Sequence, residues 1–233
     1  MTTAQEPEII RGRFAALGYR DFRLVFLTAA LSNTGNWMEI VLRNWLVYEI
    51  SGSAFALGLC NLAHWLPFLI LSPLAGAYVD RWDKRWVILS AQVTLTLVTL
   101  TLGLLTITGR IGIWQVVVLV LIHGVAESFD NPARQSLVSD LVGRKVVINA
   151  VSLNSAMYYG TRLVGPAIGG LLIAVSGTGI GFIINAATFL PYIFVLPFIH
   201  PRSASQGRVE QKAWKALLEG LAACVNNTGP NSA

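Results

Sequence analysis

The sequence predicts an all-α membrane protein of six transmembrane helices, and three observations predict it. Hydrophobic residues fill 54% of the 233 positions and charged residues only 12%. With a mean hydropathy of +0.60, that balance belongs to membrane proteins and not to soluble domains. The apolar residues gather into six runs, each near the ~20 residues that carry a helix across ~30 Å of hydrocarbon. Lys and Arg sit between the runs, so the net charge of +5 speaks for membrane topology and forms no basic face for nucleic acid.

Residues 1–23 are polar and carry no apolar core or cleavage site of a signal peptide, so they read as a cytoplasmic N-terminal segment. The spans follow over 24–48, 54–79, 86–108, 113 to about 129, 146–175 and 178–199, one bundle over 24–199. Gly and Pro inside them are tolerated because neighbouring helices re-satisfy the freed backbone groups. Residues 200–233 read as an amphipathic linker, with Trp214, Leu217, Leu218 and Leu221 on one helical face, followed by a polar tail. The chain is expected to stop before a seventh helix. Cys60 and Cys224 lie far apart and indicate neither a disulfide nor a metal site.

Basic residues precede the first span at Arg11, Arg13, Arg20 and Arg23, then follow the second, fourth and sixth spans, while the alternate gaps hold only Arg110. By the positive-inside rule both termini are expected in the cytoplasm of a cell-membrane protein.

The gap after span two is the most charged. In VDRWDKRW, Asp80, Arg81, Asp83, Lys84 and Arg85 place five charges in six positions. Gly76, Asp80, Arg81, Lys84 and Arg85 match the pattern that the major facilitator superfamily carries between its second and third helices, with Asp83 where that family usually has Gly. The resemblance implies a conformational latch; a cytoplasmic anchor is the plainer reading. Asp83 is also placed to cap the third helix.

A second motif, GTRLVGPAIGG, matches the Gly-Pro pattern that antiporters of the superfamily carry in their fifth helix. Gly160, Gly165, Pro166, Gly169 and Gly170 are therefore expected to form a packing and hinge surface. Ser72-Pro73-Leu74-Ala75-Gly76 echoes Gly165-Pro166-Ala167-Ile168-Gly169 three spans later, as an inverted three-helix repeat would. Together with FDNPARQSLVSDLV at the inner end of span four, these stretches resemble the drug:proton antiporter branch that includes the enterobactin exporter and macrolide-efflux-like proteins. The resemblance covers about residues 20 to 200, the N-terminal half of a fold of about twelve spans. It implies a bundle of two inverted three-helix repeats, a small-molecule substrate, protons as the coupling ion, and a missing C-terminal six-helix half. A non-transporting half-transporter or membrane scaffold is the alternative.

Charges inside the spans are the functional candidates, since an ionisable group in lipid is costly and faces the bundle interior. Glu39 and Arg43, four apart on helix one, suit an ion pair, and Arg162 stands at similar depth in span five. These three, with His64 and Glu127, are the candidate groups for substrate or proton coupling; a static pair or an inert hydrogen-bonded His is the competing reading. Asp130 and Arg134 form another pair four apart and read as structural. Val120 stands where the family's helix-four arginine is usual. No phosphate-binding loop, HExxH motif or activated nucleophile is present, so no enzyme, cofactor or metal is expected.

Overall fold

The structure, a computed structural model, describes residues 14–79, 82–143 and 146–199. Among these every regular element is helical. A 3-10 turn, Ala15–Gly18, leads into α1 (Arg20–Ser51), α2 (Ala54–Val79), α3 (Lys84–Ile107), α4 (Ile113–Leu141) and α5 (Val147–Val195), and a second 3-10 turn, Leu196–Phe198, closes the described chain.

Among the described residues four segments are long and apolar enough to cross a membrane: Ala54–Ser72, Lys84–Ile107, Ile113–Leu141 and Val147–Phe198. Helix α1 is not among them: Asn33, Asn36, Glu39, Arg43, Asn44 and Glu49 interrupt its apolar residues. Four of its polar side chains are nevertheless turned inward, with Ser32, Asn33, Glu39 and Arg43 all buried.

The one residue of α5 with non-helical dihedrals is Gly177 (φ 79°, ψ 168°), and neither Pro166 nor Pro191 interrupts it in that way. A residue with a Cβ rarely adopts that conformation. The two arms of α5 then run in opposite directions along α1. In the first arm Gly165 faces Thr34 and Trp37 and Gly169 faces Met38 and Val41; in the second, Gly181 faces Leu42 while Asn185 and Thr188 face Gly35. The chain therefore reverses at Gly177, and Thr178 Oγ1 donates to Glu49 Oε2 (3.0 Å) beside the reversal.

Lipid tails are as apolar as Leu, so helices associate in a membrane through close backbone approach and polar contacts. Here glycines provide the approach. Gly103 of α3 meets Gly179 and Phe182 of α5, and Gly124 of α4 lies directly against the backbone of His64 in α2. Leu42, Leu46, Leu102, Val120 and Phe182 fill one end of the bundle, and Phe22, Ile88, Leu137, Leu141 and Tyr192 fill the other.

The fourth span was expected to end near Phe129, but α4 continues to Leu141 through Pro132. The extension is helical because its charges have partners inside the bundle. Arg134 Nη2 donates to Asp130 Oδ2 (2.6 Å), Gln92 links Asp130 (3.1 Å) to Ser32 (2.9 Å), and the Arg134 guanidinium lies 4.7 Å over the Tyr192 ring. This network ties α1, α3, α4 and α5 together.

Candidate functional site

Glu39 and Arg43 are fully buried one turn apart on α1. Arg43 Nη1 lies 3.2 Å from Glu39 Oε2 and 3.4 Å from Oε1, and also 3.2 Å from His64 Nδ1 on α2. A guanidinium only donates, so Nδ1 must accept and the ring proton of a neutral His64 sits on Nε2. That atom is 3.3 Å from Glu127 Oε2 on α4. A chain of polar contacts thus runs Glu39, Arg43, His64, Glu127 across three helices.

Four of the five coupling candidates come together in this way, and the fifth does not. Arg162 is exposed and its guanidinium lies 4.9 Å over the Trp37 ring; no ion pair links it to Glu39 among the described residues. In its place stands His123, which the sequence reading passed over. It is 1% exposed, with Nε2 3.7 Å from Glu39 Oε2 and its ring centroid 5.5 Å from that of His64. The available signal was HGVAE, which puts His123 and Glu127 four apart on one helical face. With both carboxylates ionised and both imidazoles neutral, the cluster holds two negative charges against one positive.

The cluster opens onto a small cleft. His64, His123 and Glu127 form its polar wall, Trp37, Trp65, Phe68 and Tyr158 its aromatic wall, and Asn33, Asn36 and Asn131 supply amides. The aromatic rings brace each other edge to face, Trp37 with Tyr158 at 5.8 Å and Trp65 with Phe68 at 5.8 Å. The cleft thus sets convergent polar groups opposite an aromatic wall, a pairing of side chains that can orient a small molecule.

A family model described as transmembrane secretion effector matches residues 11–226. The chain belongs to this family of the major facilitator superfamily. Among its relatives, the staphyloferrin A transporter of Staphylococcus aureus is 30% identical over 174 residues, 74% of this chain and 44% of the relative. The multidrug efflux pump Tap of Mycolicibacterium fortuitum is 30% identical over 206 residues, 85% of this chain and 50% of the relative. Macrolide efflux protein A of Enterococcus faecalis is 23% identical over 185 residues, 76% and 55% of the two chains. The chain spans about half the length of these relatives.

The two family motifs are only partly within view. Asp80 and Arg81 of the loop motif lie outside the described residues, as does the linker expected after residue 199. Of its other members, Gly76 has open space around it, Lys84 pairs with Asp140 of α4 (2.6 Å), and Arg85 Nη1 donates to the carbonyl of Ile199 (2.7 Å). Asp83 caps α3 by accepting from the backbone N–H of Arg85 (3.1 Å). The Arg85 side chain donates to the same carboxylate (2.7 Å) and holds it below the usual carboxylate pKa. In the α5 motif Gly165 and Gly169 lie against α1, while among the described residues nothing lies within 4 Å of a Cβ at Gly160 or Gly170. The outward side of that helix remains free for another neighbour.

Proposed function

We propose that this chain forms one six-span half of an exporter of a small molecule from the cell membrane, working by alternating access. The observation that carries the reading is the buried set Glu39, Arg43, His64 and Glu127 opening onto the aromatic cleft. Buried charge inside a membrane bundle is expensive and marks a substrate or ion path. In this reading α1 crosses the membrane in spite of its charges, which face protein, and the two arms of α5 are separate spans, giving two inverted three-helix repeats. Residues 1–23 and 200–233 are cytoplasmic, and Gly76, Asp80, Arg81, Lys84 and Arg85 act as the latch. A second six-helix half, related in kind to the half of the relatives that this chain does not match, closes the other side of the cleft. Protons drive export through the buried carboxylates, Glu39 first. The substrate is a drug, siderophore or other metabolite, as the names of the relatives suggest.

A second reading is a half-transporter or scaffold that does not transport by itself. Both are tested by accumulation of a radiolabelled macrolide and of staphyloferrin A in cells lacking their own exporters. Expression of the chain with its complementary half should lower accumulation of one of them, and a protonophore should restore it. Unchanged accumulation of both compounds would remove the exporter reading, and lowered accumulation with the chain alone would remove the scaffold.

A further inference from the structure

His64, His123 and Glu127 offer one ligand atom each, and these atoms lie within 4.8 Å of one another. Two imidazoles and one carboxylate form a donor set suited to zinc, cobalt, nickel or iron(II), ions of intermediate softness, and poorly suited to calcium or magnesium. A tetrahedral ion with ~2.0–2.2 Å bonds holds its ligand atoms ~3.4 Å apart. His64 Nε2 and Glu127 Oε2 already stand at 3.3 Å, so rotation of His123 is the main adjustment needed.

An independent observation points the same way. Among the described residues neither ring nitrogen of His123 has a hydrogen-bond partner, although the residue is 1% exposed and forms part of the cleft wall. A neutral imidazole carries one donor and one acceptor, and leaving both unmet in a buried place is destabilising. The α2–α4 register keeps the three side chains together, because Gly124 admits the His64 backbone where any Cβ would collide.

We propose that His64, His123 and Glu127 form a divalent transition-metal site in the wall of the cleft. Three protein ligands leave at least one coordination position toward the cleft, for water or for a donor atom of a bound molecule. His64 ligates through Nε2 only as the tautomer with its proton on Nδ1, the atom that now accepts from Arg43. Metal loading therefore moves that proton from Nε2 to Nδ1 and turns Arg43 wholly to Glu39, with which it already shares two contacts. The site lies in the cleft of the proposed exporter, but metal binding does not depend on export.

The test uses the full chain purified in detergent with a tag free of histidine, titrated with cobalt(II) and followed by visible ligand-field absorption. One cobalt per chain is expected, displaced by zinc and not by calcium. His123→Gln and Glu127→Gln should each weaken binding at least about tenfold, the lower end of the loss from removing even an outer-sphere partner. His200→Gln, whose position lies outside the described residues, should change nothing. Glu127→Gln leaves the Glu39–Arg43 pair intact and serves if His123→Gln does not fold. Absence of cobalt binding, displacement by calcium at equal concentration, or unchanged affinity in Glu127→Gln would overturn the site. None of these results bears on efflux, so this inference and the export reading fail separately.

Discussion

Gly124 of α4 lies against the backbone carbonyl of His64 in α2, with no room between them for a side chain. This contact sets the register that brings Nε2 of His64 to 3.3 Å from Glu127. Gly124→Ala should separate the two helices and destabilise the bundle by ~1–3 kcal/mol, the usual range for overpacking. Thermal unfolding in detergent measures it, with Gly58→Ala on the same α2 as the control. Nothing lies within 4 Å of a Cβ at Gly58, so that variant should hold or slightly gain stability. Equal melting of the two variants would show that the α2–α4 contact does not depend on Gly124.

At Gly177 the backbone itself demands glycine, since φ is 79° and ψ 168°. Gly177→Ala should cost ~1–3 kcal/mol, even though nothing lies within 4 Å of the added methyl. An unfolding midpoint equal to that of the unaltered protein would place the reversal of α5 at another residue.

The helices and their intrahelical pairs were legible in the sequence because period and spacing fix them. Glu39 with Arg43, and Asp130 with Arg134, are four apart and meet without help from any other helix. His64 with Glu127 was not legible, because it depends on the register of α2 against α4, which Gly124 sets. The overrun of α4 past Phe129 was hidden for a similar reason: the charged stretch that holds Asp130, Arg134 and Asp140 ends the apolar run, and its partners on α3 and α5 are visible only in the fold. Arg162 was placed by depth alone, and depth does not say which way a side chain turns.

The two acidic residues of the charged loop should separate by what they lose. Asp83 caps α3, so Asp83→Ala should lower stability by ~1 kcal/mol. Its folded-state pKa is depressed by Arg85. The cap therefore contributes fully above the unfolded-state value of ~3.9 and is lost as pH falls through the lower folded value. In the variant, the melting difference should vanish in acid. Asp80→Ala should instead reduce efflux with insertion and melting unchanged, as a latch residue would. Normal efflux in Asp80→Ala would leave the loop as an anchor.

Orientation is checked by cysteine labelling of intact cells with a membrane-impermeant reagent, in a background where Cys224 is replaced by Ser. Arg110→Cys should react and Lys84→Cys should not, if the basic gaps face the cytoplasm as proposed. Cys60 is fully buried and should stay silent. The opposite pattern would reverse the topology.

The buried carboxylates give the sharpest prediction, since the structure supplies Arg43 with more than one source of countercharge. Arg43 touches Glu39 directly and reaches Glu127 through His64. In Glu39→Gln one carboxylate, Glu127, still balances the one guanidinium, and the new amide oxygen can accept from Arg43. That variant should remain folded while proton-driven efflux by the assembled transporter is abolished. Glu127→Gln leaves Glu39 against Arg43 and should also fold. The double variant strands the guanidinium, and breaking a buried pair in that way costs ~3–5 kcal/mol. Melting of the two single variants and the double variant should therefore be strongly non-additive. Additive losses would mean that Glu127 gives Arg43 no support. Should Glu39→Gln unfold by itself, the pair is structural; should it fold and still export with normal proton dependence, coupling resides elsewhere in the cleft.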